Sequence, residues 1–389
     1  MTKAEKCKQI FLTAESCEQR DIPSIFKDKL GDMMGGGRGN ILIYGANNAG
    51  KNFVRFYLEI FNNRSAINCF LDRNAADGQI CLDYPVYKPD DLRLDKEFRK
   101  NALVVIAILL DNLQYNEVVD SLKKLGYTRF NNAMPFFIRS LHFSLETDKE
   151  NVIKKEINDI LLAFEYMSDK HSENVFISLF SAHATVCYDL REITSTGMIQ
   201  YVDVNVPFRH NYRSFLDCGA FTGDTFENLI KWHNVEQYFG FEPDALCYAK
   251  LSQNVDTLRK KTKHCVLLPL GVGDKNEYLR FSSTGDGIGR INDMGNEIIQ
   301  TVRLDDTLKG YDDLFIKMDI EGTEISALKG ALNIINNTAP DLAISVYHKI
   351  SDLWRIPLMI KEFVPEYKFF LRSHNAYSID TVLYATLGS

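Results

Sequence analysis

Residues 215–232, FLDCGAFTGDTFENLIKW, decide the fold of the second half of the chain. A short apolar run ends in a turn with two glycines, and apolar residues at helical spacing come next, so the stretch predicts a strand, a tight turn and a helix. Gly219 and Gly223 carry no side chains where the backbone must bend and approach a ligand. Because the helix that follows presents free amide groups, the turn predicts a site for a polar or anionic group.

An acid stands at the end of the next strand, QYFGFEPD, residues 237–244. In an open α/β sheet, a carboxylate placed like Glu242 can accept hydrogen bonds from two ribose hydroxyls. A second acid, Asp217, ends the first strand, whereas dinucleotide sites usually have three glycines and no acid there. The pattern therefore favours a nucleoside cofactor other than a dinucleotide. The alternative is that packing of helix against strand alone selects the glycines.

Further apolar runs extend this pattern to the C-terminus. Strands are predicted at CVLLPLG, EYLRFSS, IIQTVRL, LFIKMD, LAISVYH, YKFFLRS and TVLYATL, with helices between most of them. The alternation predicts an α/β fold with a mostly parallel sheet flanked by helices, and the last two strands, which have no helix between them, predict an antiparallel edge.

The first half of the chain contains a smaller repeat of the same pattern. The run ILIYGANNAGKN predicts a strand and a glycine turn, INCFLD and LVVIAILL predict two more strands, and a helix is predicted at 114–125. The turn matches a phosphate-binding loop, but Asn52 stands where a serine or threonine would bind magnesium, which argues against nucleotide hydrolysis. As a Rossmann turn, Gly45 and Gly50 could approach a phosphate and Asp72 a ribose. The alternative is a domain kept for packing or for docking a partner.

These patterns divide the chain into four segments. We expect an N-terminal helical segment over 1–39, a small Rossmann-like nucleotide-binding domain over 40–145, a helical connector over 146–213 and the larger α/β domain over 214–389. An apolar stripe marks the connector as helical, and it consists of Ile153, Ile157, Ile160, Leu161 and Phe164.

Composition excludes several classes of function. A formal net charge of -7 over 389 residues leaves no basic field for nucleic acid. The longest apolar run, residues 103–110, is too short to span a membrane, and the first residues have no hydrophobic core typical of a secretory signal. Eight cysteines without a CxxC pair indicate a reducing cytoplasm and argue against a zinc site.

Four motifs in order, DCGAFTGDT, FEPD, KMDIEGTEISALKGA and VYHKISDLWRIP, resemble those of the FkbM family of S-adenosylmethionine-dependent methyltransferases. The resemblance implies a seven-stranded class I methyltransferase sheet, Rossmann-like, with its last strand antiparallel. It also implies that Asp217, Gly219 and Gly223 hold the methionine part of the cofactor, and Glu242 its ribose. The residues that it places around the adenine or in the same cofactor motifs are Gly271, Val272, Ala220, Asp224, Thr225 and Pro243. The GVGD sequence after the third strand departs from the family, which more often has an alanine there.

Methyl transfer is an in-line displacement that also has to remove one acceptor proton. His348, at the end of LAISVYH, is the predicted base because an imidazole titrates near neutral pH. Asp319 and Glu321 follow LFIKMD and are expected to position the acceptor or, with His348, to hold a divalent metal, although no metal motif indicates one. The alternatives are a histidine bonded to a loop carbonyl, a Lys317–Asp319 pair, and a helix-start acid at Glu321.

Three further elements are candidates near this site. Glu324 is expected on the helix surface or as a partner behind the catalytic residues, and His374 is a further candidate base. Residues 281–293, FSSTGDGIGRIND, predict a loop that covers the acceptor or a long hairpin turn without ligand contact. Arg290 within it could meet a phosphate or carboxylate of the acceptor.

The expected activity is methyl transfer to a hydroxyl of a sugar, glycan or secondary metabolite, as in polysaccharide biosynthesis, because the resemblance implies such acceptors. The alternatives are a nucleotide-sugar or NAD-binding enzyme or accessory protein that acts through the first domain, and a scaffold without catalysis. No oligomeric state is predicted from the sequence.

Overall fold

The chain forms three β-sheets with helices packed around them. A computed structural model describes residues 2–18, 22–36, 40–137, 152–185, 193–194, 199–209, 212–283, 289–307 and 312–388. Of the predicted segments, parts of the N-terminal helical segment, the connector and the loop at 281–293 lie outside these residues. The mixed α/β fold predicted from the alternation of strands and helices is confirmed.

The first sheet lies in the N-terminal half and has six strands. They are β1 Ile41–Tyr44, β2 Ile67–Leu71, β3 Ile80–Cys81, β4 Tyr84–Tyr87, β5 Leu103–Ile106 and β6 Arg129–Asn132. Their order is β3-β4-β2-β1-β5-β6, and the neighbours are parallel except for the β3–β4 hairpin. β1 and β5 are buried along their whole length, which explains their uninterrupted apolar sequences.

Five helices accompany this sheet, namely α1 Lys3–Glu18, α2 Ile22–Met33, α3 Asn48–Phe61, α4 Lys96–Asn101 and α5 Asn112–Lys124, with a short 3₁₀ turn at Arg64–Ala66. α5 begins where Asp111 and Gln114 form a capping box, each side chain accepting the other's backbone N–H. The helix predicted over 114–125 therefore starts two residues earlier.

The connector is helical where it is described, with α6 Val152–Lys155, α7 Ile157–Glu165 and α8 Lys170–Thr185. Two members of the predicted stripe, Ile160 and Phe164, are fully buried.

The second half contains the remaining strands and helices. The strands are β7 Tyr212–Cys218, β8 Val235–Phe241, β9 His264–Leu268, β10 Gly271–Val272, β11 Glu277–Ser282, β12 Arg290–Ile291, β13 Glu297–Val302, β14 Leu314–Met318, β15 Asp341–Ser345, β16 Lys368–Ser373 and β17 Thr381–Thr386. The helices are α9 Asp224–Leu229, α10 Ala245–Leu258, α11 Leu304–Thr307, α12 Glu324–Gly330, α13 Leu332–Thr338 and α14 Asp352–Phe363, with a 3₁₀ turn at Arg259–Lys261.

Seven of these strands form one sheet in the order β16-β17-β15-β14-β7-β8-β9. β17, the last strand, is inserted between β15 and β16 and runs antiparallel to both, while the other neighbours are parallel. β14 and β15 are buried along their full length because helices cover both faces of the sheet. The carboxyl ends of β7, β8, β14 and β15 therefore open on the same edge.

β16 is an edge strand of this sheet, and the connector covers it. The N–H of Phe369 donates to Ser168 Oγ at 2.9 Å, and the N–H of Leu371 donates to Ser172 Oγ at 2.9 Å. Arg372 reaches Asp169 with an Nη2 to Oδ2 distance of 2.7 Å. Polar groups that an edge strand usually leaves to solvent are thus satisfied by the connector.

The third sheet is small, with the order β10-β13-β11-β12. β11 pairs antiparallel with β13, so the expected hairpin of EYLRFSS with IIQTVRL is present, and β12 adds a strand within the predicted 281–293 loop.

The first and second sheets share one apolar core. It includes Phe53 of α3 and Trp354 of α14, both fully buried. Asn132 of β6 also donates from Nδ2 to the Tyr377 hydroxyl at 3.0 Å. Within the part of the chain that the structure describes, no helix has the length and apolar character needed to cross a membrane.

Candidate active site

A cavity of about 260 Å³ lies at the carboxyl edge of the seven-stranded sheet. The turn after β7 and the end of β8 form one wall, and the residues after β14 and β15 form the opposite wall. The third sheet closes it from above. Nine of the predicted site residues line it: Gly219, Asp224, Thr225, Glu242, Pro243, Gly271, Val272, Asp319 and Glu321.

Close packing and a positive φ account for both glycines of the turn after β7. Gly219 has a φ of +79°, and a Cβ there would lie 1.9 Å from the carbonyl oxygen of Asp319. Gly223 has a φ of +83° at the start of α9, where a Cβ would press at 3.0 Å on Leu251 and Val255. Close packing therefore explains the two glycines, and this explanation is compatible with the approach of a ligand to the same turn. Phe221 between them also has a positive φ of +47°.

Glu242 lies at the end of β8 and is held by the backbone around it. Its Oε2 accepts the N–H of Phe221 at 2.8 Å, and its Oε1 accepts the N–H of Asp244 at 2.9 Å. The residue is only 7% exposed, and burial raises the pKa of its carboxyl to about 7 against the opposing effect of those N–H groups. Its carboxylate nevertheless forms part of the cavity wall.

Asp217 does not line the cavity but lies beneath its floor. Its Oδ1 is 3.2 Å from Lys317 Nζ, its Oδ2 accepts from the Tyr238 hydroxyl at 3.1 Å, and both members of the Asp217–Lys317 pair are buried. Lys317 also donates to the carbonyl oxygen of Gly219. Burial by itself lowers the pKa of Lys317, but Asp217, Asp319 and Asp224 together outweigh burial, and the pKa is raised. A Lys317–Asp319 pair was the alternative predicted from sequence, but Lys317 forms its ion pair with Asp217.

Asp319 follows β14 and faces two tyrosine hydroxyls. Tyr201 donates to Oδ2 at 2.7 Å, and Tyr347 donates to Oδ1 at 3.1 Å. Burial raises the pKa of this carboxyl, yet His348, Lys317 and the hydroxyl donors outweigh burial and the pKa falls below its usual value. Asp319 is therefore an ionised group at the cavity wall.

His348 lies behind Asp319 and Glu321 and does not line the cavity. The residue is 3% exposed, with Nδ1 at 3.0 Å from Glu324 Oε1 and Nε2 at 3.6 Å from Asp319 Oδ1 and 3.7 Å from Glu321 Oε1. Its contacts are carboxylates, not the loop carbonyl of the alternative reading. Burial by itself lowers the pKa of His348, but the carboxylates, Glu324 foremost, raise it well above its usual value.

Two of the secondary candidates have well-defined positions. Glu324 is 1% exposed, so it is not a surface acid but the partner of His348. His374 lies with Nε2 at 2.7 Å from the Tyr384 hydroxyl, and burial lowers its pKa to about 4. The structure thus brings Glu324, but not His374, into the group of residues behind the cavity wall.

The third sheet supplies an apolar slot over one end of the cavity. The slot is lined by Leu270, Val272, Phe281, Ile291 and Ile299, and all of these except Leu270 belong to strands of the third sheet. Val272 was predicted as a cofactor residue, and Phe281 and Ile291 lie in the predicted 281–293 loop, whereas Leu270 and Ile299 were not predicted. The 281–293 segment lines the cavity through Phe281 and through residues 289–291, including Arg290, while residues 284–288 lie outside the described part.

Among the other wall residues that sequence reasoning missed are Gln200, Tyr201 and Tyr347. Tyr347 could have been found, since it precedes His348 in the VYHK motif. Tyr201 carried no local signal because it comes from the end of the connector. Ala220 and Gly223, both predicted for the cofactor, shape the turn and do not line the cavity.

The first glycine turn, at Gly45 and Gly50, is also accounted for by packing. A Cβ on Gly50 would lie 1.9 Å from the carbonyl oxygen of Gly45. Asn47 caps α3 by accepting the N–H of Gly50 at 3.1 Å, and Asp72 accepts the N–H groups of Ala46 at 3.3 Å and Asn74 at 2.9 Å. A nucleotide ligand here stays a prediction.

Comparisons with known proteins agree with this geometry. Residues 217–375 match the family model described as the methyltransferase FkbM domain. The fold is similar to a crystal structure described as methyltransferase FkbM from Methylobacillus flagellatus KT, at 20% identity with a TM-score of 0.69, covering 99% of this chain and 100% of the other. No curated protein matches the sequence. Over residues 217–375, the chain is therefore similar to the methyltransferase domain of the FkbM family.

Proposed function

We propose that this domain transfers a methyl group from S-adenosylmethionine to a hydroxyl of a sugar, glycan or secondary metabolite. The observation that carries the proposal is the cavity itself, which places a buried carboxylate, Glu242, between an apolar slot and a group of acids. That sequence of surfaces matches the adenine, ribose and sulfonium parts of the methyl donor in order.

In this proposal each part of the donor has its own set of residues. Gly271, Val272 and Phe281 hold the adenine, and Glu242 accepts hydrogen bonds from the ribose hydroxyls. The methionine part lies over Gly219 and the first residues of α9. Asp217 acts indirectly, by fixing Lys317 under the turn, because its own carboxylate does not reach the cavity.

The charge of the cavity supports a cationic ligand. Asp224, Glu242, Asp319 and Glu321 present carboxyl groups to it, while the positive charge of Lys317 is balanced by Asp217. A sulfonium compound carries its positive charge next to the transferred methyl group, and carboxylates stabilise such a charge best where water is largely excluded.

In the reaction, the acceptor oxygen forms a bond to the methyl carbon while the carbon–sulfur bond breaks and S-adenosylhomocysteine leaves. The acceptor proton passes to a carboxylate at the cavity wall. We favour Glu321 for this step, since Asp319 already accepts from Tyr201 and Tyr347, and His348 lies behind both acids as a positioning residue. The acceptor class rests on the family resemblance.

Calorimetric titration of the purified protein with S-adenosylhomocysteine tests the donor. We expect binding in the micromolar range, weakened about tenfold or more by Glu242→Ala, because a buried carboxylate would lose its ribose contacts. Glu236→Ala is the matched control, since that acid on the same strand pairs with Lys263 at the surface. Absence of binding, or equal affinity in all three proteins, would refute the proposal. A screen of labelled methyl donor against sugars then identifies the acceptor.

A further inference from the structure

Three side chains behind the cavity wall have the composition and spacing of a metal site. Asp319, Glu324 and His348 each offer one ligand atom, and these atoms all lie within 4.8 Å of one another. Asp319 comes from the loop after β14, Glu324 from the first turn of α12 and His348 from the segment after β15. Of the three side chains, only Asp319 faces the cavity.

The polar atoms of this group are buried and incompletely satisfied. His348 is 3% exposed and Glu324 is 1% exposed. Among the described residues, neither ring nitrogen of His348 has a hydrogen-bond partner, and the Oε2 atom of Glu324 has none either. Buried polar atoms without partners are rare in native proteins, so each requires an explanation, and an absent ion is one.

The spacing between these groups suits a shared cation better than direct hydrogen bonds. Nε2 of His348 lies 3.6 Å from Asp319 Oδ1, beyond hydrogen-bond length, while Nδ1 lies 3.0 Å from Glu324 Oε1 without hydrogen-bond geometry. These two contacts use opposite ring nitrogens, and one ion can bind only one of them. With one nitrogen of His348 and one oxygen from each acid, the three ligand atoms lie within 4.8 Å of one another. Two ligands on opposite sides of an ion, each about 2.1 Å from it, are about 4.2 Å apart, so small side-chain movements would bring all three onto one ion.

We propose that Asp319, Glu324 and His348 bind one divalent first-row cation of the Mn²⁺ type. One imidazole and two carboxylates are nitrogen and oxygen ligands, which suit such ions. Glu324 is held in place because its Oε1 accepts the N–H of Ile320 at 3.0 Å, so the backbone orients one ligand.

The cation has an open side toward the cavity, where Asp319 forms the wall. Three ligands leave further positions of an octahedral ion for water or for a hydroxyl oxygen of the acceptor. The role of the ion rests on the proposed function. The ion lowers the pKa of the bound hydroxyl. Glu321, at the same wall, accepts the proton as the methyl group is transferred.

Titration of the protein with Mn²⁺ alone, followed by the loss of the free-ion EPR signal, tests the site. We expect one Mn²⁺ per chain, with affinity lowered about tenfold or more in both Asp319→Asn and His348→Gln. His264→Gln, at an exposed histidine on β9, is the control and should bind as the wild type does. If His348→Gln does not fold, Asp319→Asn decides, because that side chain is partly exposed.

The result that overturns the inference is an EPR signal unchanged by the protein, or equal binding in the wild type and Asp319→Asn. S-adenosylhomocysteine binding, measured separately without metal, distinguishes the two proposals. Donor binding without Mn²⁺ binding refutes only the proposed cation site. Mn²⁺ binding without donor binding refutes the proposed methyl donor.

Discussion

Lys317 and Asp217 face each other at the same register of the neighbouring strands β14 and β7, with Nζ and Oδ1 3.2 Å apart. The ion pair is buried and the lysine also holds the carbonyl oxygen of Gly219. The pair thus ties the two central strands to the turn above them, so the cavity floor and the sheet core are one structural unit.

Removal of one charge from this pair should destabilise the protein strongly. Lys317→Met leaves the Asp217 carboxylate buried without its cation, and we expect the free energy of unfolding to fall by about 3–5 kcal/mol. The double variant Lys317→Met with Asp217→Leu should recover part of the loss. Urea unfolding measures both, and a double variant no more stable than Lys317→Met would show that the charge imbalance is not the cause.

Gly219 should tolerate no side chain, because its Cβ would overlap a backbone oxygen. Gly126 provides the matched control: its φ is also positive, +96°, but a Cβ there meets no atom within 4 Å. Gly126→Ala should cost only the left-handed backbone conformation, about 1–2 kcal/mol, and Gly219→Ala about 3 kcal/mol or more. Chemical denaturation of both variants gives the comparison, and equal losses would argue against a steric contact at Asp319.

Donor binding should strengthen as the pH rises through about 7. Burial raises the pKa of Glu242 in the free protein to about 7, above its usual 4.5. At pH 6 most of the carboxyl is then protonated, and at pH 8 it is the ionised form that accepts hydrogen bonds from ribose hydroxyls. The same raised pKa affects the stability of the free protein. Glu242 contributes stability below about pH 4.5, and this contribution is lost as the pH rises through about 7.

Affinity for S-adenosylhomocysteine measured from pH 6 to pH 8 tests this directly. Glu242→Gln cannot ionise, so its affinity should vary much less over that interval. A wild-type affinity that is constant, or that falls with pH, would contradict the assignment of Glu242 to the ribose.

The apolar slot should contribute to donor affinity through Phe281. Phe281 is only 3% exposed in the free protein, so its removal acts by widening the slot, and Phe281→Ala should weaken S-adenosylhomocysteine binding by about tenfold. Tyr278 lies on the same strand but is 73% exposed, and Tyr278→Ala should leave the affinity unchanged. Equal effects of the two substitutions in calorimetry would place the adenine elsewhere.

The sequence predicted those parts of the fold that local chemistry determines. Fully apolar strands such as β1 and β5, and the glycine turns that follow strands, follow from burial on both faces and from positive φ values. The β3–β4 hairpin and β12 were missed because a two-residue strand leaves no periodic pattern.

The site was predictable only where its residues follow strands of the motifs. Lys317 and Asp319 share a strand face, which suggested that they pair, but the true partner, Asp217, is a neighbour across strands, and the order of strands is not local information. Tyr201 and Ile299 were missed for the same reason, since the connector and β13 of the third sheet reach the cavity only through tertiary packing.

The connector that covers β16 has a consequence for any attempt to isolate the methyltransferase part. A fragment that begins at β7 would lose Ser168, Asp169 and Ser172, and with them the hydrogen bonds to Phe369 and Leu371 and the ion pair of Arg372. The newly bare strand would offer its backbone to other copies, which favours aggregation. By covering β16, the connector thus protects the seven-stranded sheet from edge-to-edge association.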